Sequence, residues 1–179
     1  TSMAISFSMG QTGKASSHGR RIDLLLIFAF GFAGLIALMS WLDNAEAITG
    51  NGVFKAVQTK PWISNPSTAQ LDPSNYLHFP FVGAFCRLLD FVGVLEGDAR
   101  RQLCVVNAFS AALCLCIVYM LVREITQSRS VAWLAVLFHL AGAFFLNLAI
   151  CNEDIMPGYT LLFASMALAC VWFVSPTRT

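Results

Sequence analysis

The sequence contains few charged residues, and this shortage excludes most classes of soluble protein. Only 12% of its 179 residues are Asp, Glu, Lys or Arg, whereas about 25% is usual in soluble domains. The net charge is +1, so the chain lacks the positive field with which proteins bind nucleic acid. Hydrophobic residues make up 57% of the whole sequence, and its mean hydropathy is +0.68. This composition is typical of an integral membrane protein whose main partner is the lipid bilayer.

The sequence also lacks the paired cysteines that mark many zinc sites and redox centres. It contains six cysteines, but none of them forms a CxxC pair. Cys114 and Cys116 are two residues apart, so on a helix they would face different directions. Four of the six lie inside apolar stretches. We therefore expect small, buried hydrophobic side chains and no metal site.

The sequence is rich in long apolar stretches. They cover residues 22–42, 103–122, 131–150 and 157–174. Each approaches the ~20 residues that a helix needs to cross ~30 Å of hydrocarbon, where the backbone must satisfy its own hydrogen bonds. The sequence therefore predicts an all-α, polytopic membrane domain with about four transmembrane helices over residues 22–179. A polar tail over residues 1–21 precedes it.

The positions of the positive charges predict how the chain is oriented. Lysines and arginines precede the first apolar stretch, join the second to the third, and occur in the C-terminal tail: Lys14, Arg20, Arg21, Arg123, Arg129 and Arg178. Cytoplasmic segments of membrane proteins are enriched in such residues. We therefore expect a cytoplasmic N-terminus and an outer loop over residues 43–102. The membrane would be a plasma (inner) membrane or an endoplasmic reticulum membrane.

The outer loop is expected to contain one short helix among turns. Its first part, "ITGNGVFKAVQTKPWISNPSTAQLDPS", is rich in the residues of turns. Residues 79–94, "FPFVGAFCRLLDFVGV", combine a narrow polar stripe of Gly83, Arg87 and Asp90 with apolar side chains. The stretch is too short to span a bilayer. We interpret it as an amphipathic helix in the membrane interface, with a buried core helix of the loop as the alternative.

Acidic residues cluster at two places that this topology puts on the outer face. Asp43 and Glu46 follow the first apolar stretch, in "SWLDNAEAI", and Glu153 and Asp154 separate the third from the fourth, in "NEDIMPGYT". Partly desolvated carboxylates at a membrane boundary can act as a general base or coordinate a cation. Helix capping is the simpler interpretation, because acids near a helix N-terminus interact favourably with its dipole.

The layout resembles the N-terminal part of GT-C type glycosyltransferases. These polytopic enzymes use polyprenyl-phosphate-linked sugars and include the protein O-mannosyltransferases and the aminoarabinose transferases. The resemblance covers roughly residues 20–175, and its segments are "SWLDNAEAI", "DPSNYLHFPFVGAFCRLLD", "VVNAFSAAL", "REITQSRSVAW" and "NEDIMPGYTLLFAS". Such enzymes have many more than four spans. The resemblance therefore implies an N-terminal fragment or a shortened relative, completed by further transmembrane helices or subunits.

The resemblance implies transfer of a sugar from a polyprenyl-phosphate-linked donor to an acceptor on the outer face. Asp43 matches the first-loop acid that takes the proton from the acceptor hydroxyl. Glu153 or Asp154 matches the second-loop acid that positions the acceptor or a divalent cation. Three further residues are expected in the substrate site: Glu46, His78 and Arg87. Taken as residues alone, Arg87 equally fits an ion pair with Asp90, and His78 an ordinary interfacial position.

Two other functional classes fit the same layout. One is a non-catalytic membrane subunit or scaffold, and the other is a small cation-coupled transporter that uses the outer acids. The transporter is less favoured, because no Asp, Glu, Lys or Arg occupies the middle of an apolar stretch. His139 lies in the middle of the third stretch. It is either a functional ionisable group or, as we favour, a neutral histidine bonded to Asn107 or Asn147.

Overall fold

The structure, a computed structural model, describes residues 16–43, 50–66, 78–93, 95, 98–150 and 155–174. Within these residues every regular element is an α-helix and no strand occurs, so the predicted all-α class is confirmed. The described helices, in chain order, are α1 (Ser16–Asp43), α2 (Gly50–Ser64), α3 (His78–Phe91), α4 (Ala99–Thr126), α5 (Arg129–Ala141), α6 (Ala143–Ile150) and α7 (Ile155–Val174).

Two of these helices are long and apolar enough to cross a membrane. They include His18–Trp41 in α1, with 24 residues, and the whole of α4, with 28 residues. The apolar helices Arg129–Ala141 and Ile155–Cys170 are shorter. Membrane insertion therefore has its structural support in α1 and α4, and the arrangement of four spans stays a prediction.

The third predicted span, residues 131–150, is divided into two helices at Gly142. This residue has an extended conformation with φ −65° and ψ 118°, and its N–H donates to the carbonyl of His139 at 3.2 Å. A Cβ atom on Gly142 would lie 3.1 Å from that carbonyl oxygen. Glycine therefore permits a close turn between α5 and α6. The pattern of apolar residues did not reveal it, because glycine is common in uninterrupted membrane helices.

The helix α4 is the centre of the fold, and each of the other six described helices packs against it. Its buried side chains include Ala111, Ala112 and Leu115, which are at most 1% exposed. On α1, Gly31 lies so close to α4 that an added Cβ would be 3.2 Å from Leu115 Cδ1. Small side chains thus let α1 approach α4 closely, an arrangement that is common between the helices of membrane proteins.

The first helices of the bundle run in alternating directions. α1 is antiparallel to α4, because Tyr119 bonds to Asp23 near the start of α1 while Phe109 packs on Phe32 farther along. α5 then returns along α4 after a link of two residues, 127–128. Short links of this kind make neighbouring helices antiparallel.

α7 runs back along the broken pair α5 and α6. The ring of Tyr159 lies 6.4 Å from that of Phe145 in α6, and the ring of Phe163 lies 5.3 Å from that of His139 in α5. The bundle therefore has two ends. What we call the first end is formed by the helix termini at Ser16, Thr126 and Arg129. What we call the second end is formed by the helix termini at Asp43, Ala99, Ile150 and Ile155.

The predicted outer loop contains two described helices instead of one. α3 matches the helix expected over residues 79–94, but α2 occupies a stretch that we predicted to be turns, and that prediction was wrong. The misleading signals were Gly50, Gly52 and Pro61, which all lie within α2. Tertiary contact with α3 and α4 compensates for their low helix propensity. Pro61 lies near the end of α2, where few backbone hydrogen bonds follow it.

A second small core joins this helix pair to the second-end half of α4. It consists of Val82, Cys86, Leu103 and Val106, each at most 2% exposed. The opposite face of α3 leaves large apolar side chains exposed: Phe81, Leu88, Phe91 and Val92. α3 is thus buried along one face and apolar along its exposed face, which is compatible with a position at a membrane interface.

Gly83 is a contact residue of this helix pair, and not only part of a polar stripe. It is buried against α2, and an added Cβ would lie 2.6 Å from the Cβ of Trp62. Any side chain at position 83 would therefore force the backbone of α2 to shift at Trp62. The glycine is therefore required by the packing of α2 on α3.

We expect Gly83→Leu to lower the free energy of unfolding by about 1–3 kcal/mol, because the new side chain overfills the contact with Trp62. Thermal unfolding of the purified protein in detergent measures the change. Gly34→Leu is the matched control, because Gly34 is exposed on α1 with nothing within 4 Å of its added Cβ. Equal stability of the two variants would show that α2 and α3 do not pack in this way.

Candidate functional site

Of the residues predicted to be catalytic, Asp43 is the one that lies in a described helix. Asp43 is the last residue of α1. Its side chain is outside the described part of the chain, as are all atoms of Glu46, Glu153 and Asp154. His78 is the first residue of α3, and its side chain is also outside that part. Their roles remain predictions.

The backbone nevertheless relates the two acidic segments to each other. α1 ends at the second end with Asp43, and α6 contacts α1 on its way to the same end. The link of residues 151–154 begins after Ile150 and leads directly into α7 at Ile155. Both ends of this link, which carries Glu153 and Asp154, therefore lie at the end of the bundle where α1 terminates.

Arg87 is the one predicted site residue whose side chain is described. It is exposed on α3. Asp90, its expected partner on the same helix, accepts a hydrogen bond from Nε2 of Gln102 in α4. This amide also donates to the carbonyl of Leu95 at 3.2 Å. Asp90 thus helps to hold α3 on α4.

A buried charge at the first end was missed by the sequence analysis. The side chain of Asp23 in α1 is 2% exposed. Arg129 in α5 donates to both of its oxygens, from Nε to Oδ2 at 2.9 Å and from Nη2 to Oδ1 at 2.6 Å. Tyr119 in α4 donates its hydroxyl to Oδ2. We call these three residues the Asp23 cluster.

The Asp23 cluster joins three helices through one carboxylate. A buried carboxylate is costly unless its oxygens are hydrogen-bonded, and the paired contact with a guanidinium is a strong way to achieve this. These hydrogen bonds raise the pKa of Arg129, so the guanidinium stays charged. Trp133 packs edge-on against Tyr119, with ring centroids 5.9 Å apart. The cluster thereby connects α1, α4 and α5.

A sequence signal for the Asp23 cluster did exist. Asp23 is the only acid inside the first apolar stretch, and Arg129 stands just before the third. The predicted topology puts both at the same membrane boundary. The sequence does not specify the rotation of each helix about its axis, and this rotation decides whether such residues face one another or the lipid.

His139 lies among aromatic rings in the middle of the bundle. Its ring centroid is 4.6 Å from that of Phe145, 5.3 Å from that of Phe163 and 6.0 Å from that of Tyr159. Its described polar contact is with Cys114, at 3.9 Å between Nε2 and Sγ. His139 therefore contacts a thiol on α4, whereas the sequence analysis expected Asn107 or Asn147 as its partner.

The cysteines in the described part of the chain form no disulfide, and most of them are enclosed. Cys86, Cys114 and Cys116 are buried, as expected from their apolar surroundings. Burial raises the pKa of the Cys86 thiol in α3 to about 12, so this thiol stays protonated and unreactive at neutral pH. In the part of the chain that the structure describes, no group of three or more His, Cys, Asp or Glu residues is arranged to hold a metal ion.

The chain matches no protein-family model, no curated protein and no solved structure. Its function is therefore inferred from the chemistry and the positions of its own residues, above all the Asp23 cluster and the end of α1 at Asp43.

We expect Tyr119→Phe to lower the free energy of unfolding by about 1–3 kcal/mol, because the Asp23 carboxylate loses a buried hydrogen bond. Thermal unfolding in detergent measures the change. Tyr159→Phe serves as the control, because the Tyr159 ring packs on Phe163 at 4.9 Å and this contact survives loss of the hydroxyl. If the two variants unfold alike, the Asp23 cluster does not contribute to stability.

Proposed function

We propose that the chain is the N-terminal catalytic module of a membrane glycosyltransferase that uses a polyprenyl-phosphate-linked sugar. The supporting observation is the position of Asp43. It terminates a helix long enough to cross the bilayer, at the same end of the bundle as the link that carries Glu153 and Asp154. Acids from two separate segments are thereby available to one reaction at the membrane surface.

In the proposed reaction Asp43 is the general base. Its carboxylate accepts the proton of an acceptor hydroxyl while the hydroxyl oxygen attacks the anomeric carbon of the sugar. A new glycosidic bond forms, and the bond between the sugar and the phosphate breaks. The bonding electrons leave with the polyprenyl phosphate, so a negative charge develops on the leaving group.

The other predicted site residues serve binding in this proposal. Glu153 or Asp154 orients the acceptor or holds a divalent cation next to the donor phosphate. Arg87, which is exposed on α3, and His78 meet the charge of that phosphate. Glu46 completes the substrate site as the second acid of the first outer segment. Further transmembrane helices or subunits supply the rest of the donor site.

The proposal includes four membrane crossings: α1, α4, the pair α5 and α6, and α7. The 20 residues of α7 correspond to about 30 Å of helix, the thickness of the hydrocarbon core. Large apolar side chains are exposed on all four: Phe30, Met120, Phe138 and Leu168. Lipid tails around the bundle account for this surface. The N-terminus then lies in the cytoplasm, and the second end faces outward.

We expect Asp43→Asn in the complete natural protein to reduce sugar transfer by roughly 10²–10⁴-fold, the range typical of general-base catalysis. Transfer from the lipid-linked donor is measured in membranes, with expression and thermal stability measured in parallel. Asp98→Asn is the matched control, because Asp98 caps α4 and asparagine caps helices equally well. Unchanged transfer by Asp43→Asn would rule out this residue as the base.

A second candidate is a small cation-coupled transporter, which the interruption of the third span favours. Irregular backbone at membrane depth is tolerated chiefly where it is enclosed in protein or lines a cavity, and many transporters bind their substrates at such breaks. Gly142 creates this break three residues after His139. Uptake into vesicles that needs Glu153 and Asp154, and no sugar donor, would favour the transporter over the transferase.

A further inference from the structure

The first end of the bundle carries an excess of arginine. The described part of this end contains four arginines and two acids. The arginines are Arg20, Arg21, Arg123 and Arg129, and the acids are Asp23 and Glu124. Arg129 is bonded to Asp23, and Arg20 lies 3.6 Å from Glu124. Within the described ranges this leaves Arg21 and Arg123 without a carboxylate partner. In the described part of the chain, two positive charges of the first end are therefore not neutralised by a carboxylate.

Two of these arginines are held in position by neighbouring groups. Nη1 of Arg123 donates to the carbonyl of Gln127 at 2.6 Å, where the chain turns with a φ of 53°. Arg129 contacts Asp23 through Nε and Nη2 only, and its side chain remains 62% exposed. Each guanidinium therefore has N–H groups left for a further acceptor. Because each is already anchored, less side-chain freedom is lost when it binds one.

Exposed apolar side chains begin directly beside these arginines. Leu25 in α1 is 69% exposed, Ile125 in α4 is 59% exposed and Val131 in α5 is 44% exposed. In a bilayer these side chains contact acyl tails. The arginines one turn or less away then lie at the level of the lipid headgroups, where their long stems can reach the phosphates.

We propose that the first end binds the headgroups of anionic phospholipids, with Arg21 and Arg123 as the principal donors and the exposed edge of Arg129 as a third. The occupant is a membrane lipid and not a soluble phosphate, because the cations adjoin surface that only acyl tails would cover. Negatively charged lipids attract basic residues at the membrane surface by about 1 kcal/mol for each residue. This inference rests on membrane insertion, and it does not depend on the proposed sugar transfer.

Native mass spectrometry of the full chain in mixed micelles tests the proposal. The protein is released from micelles that contain phosphatidylglycerol and phosphatidylcholine in equal amounts, and the lipids that stay bound are identified. We expect phosphatidylglycerol to be retained in preference. In Arg21→Gln/Arg123→Gln this preference should fall by about fivefold for each arginine removed. The two single variants, each with half of the change in charge, report the same effect if the double variant fails to fold.

The control removes two positive charges from the helices packed near the second end. Lys60 in α2 and Arg101 at the start of α4 are both exposed, so Lys60→Gln/Arg101→Gln matches the change in charge without touching the first end. Its lipid preference should equal that of the unaltered chain. Equal losses in the two double variants would overturn the proposal in favour of a general charge effect. No preference in the unaltered chain, or displacement of the lipid by inorganic phosphate, would overturn it as well.

Discussion

The fold depends on how one buried carboxylate is satisfied. Asp23 lies on α1, a candidate membrane-spanning helix, and Tyr119 from α4 and Arg129 from α5 supply its hydrogen bonds. These bonds favour one rotation and one height of α1 on α4, because a shift of one residue would move the carboxylate away from its partners. Apolar packing alone distinguishes such alternatives weakly in a membrane, where lipid tails are as apolar as the helix surfaces. We infer that the Asp23 cluster sets the register of the bundle.

That register determines what meets at the opposite end. With α1 held antiparallel to α4, its last turn reaches the region where α4 starts, where α6 ends and where α7 begins. The candidate site around Asp43 therefore depends on an ion pair at the first end of the bundle. The interruption at Gly142 adds a second requirement, because it separates α5 from α6, and α6 is the helix that continues to the second end in contact with α1 and α4.

The two ends differ in chemistry, and the difference follows from the charges. The first end combines arginines with exposed apolar side chains, so it suits the headgroup layer of an anionic leaflet. Eight of the ten acids of the sequence lie between Asp43 and Asp98 or in the link of residues 151–154. In the proposed topology of four spans, this asymmetry would present carboxylates to one aqueous face and guanidinium groups to the other. A transferase that deprotonates a hydroxyl would use the acidic face.

The sequence by itself determined the helical class and the positions of the apolar segments, because composition and length are local properties that the bilayer constrains strongly. It also located the acids of the candidate site next to the ends of those segments. Only the tertiary structure decided that Asp23 and Arg129, 106 residues apart, form one cluster, that α2 is helical despite its turn residues, and that Gly142 interrupts the third segment. Each of these depends on contacts between distant parts of the chain. Such contacts override local propensity, and helix periodicity does not specify which partner a buried face will meet.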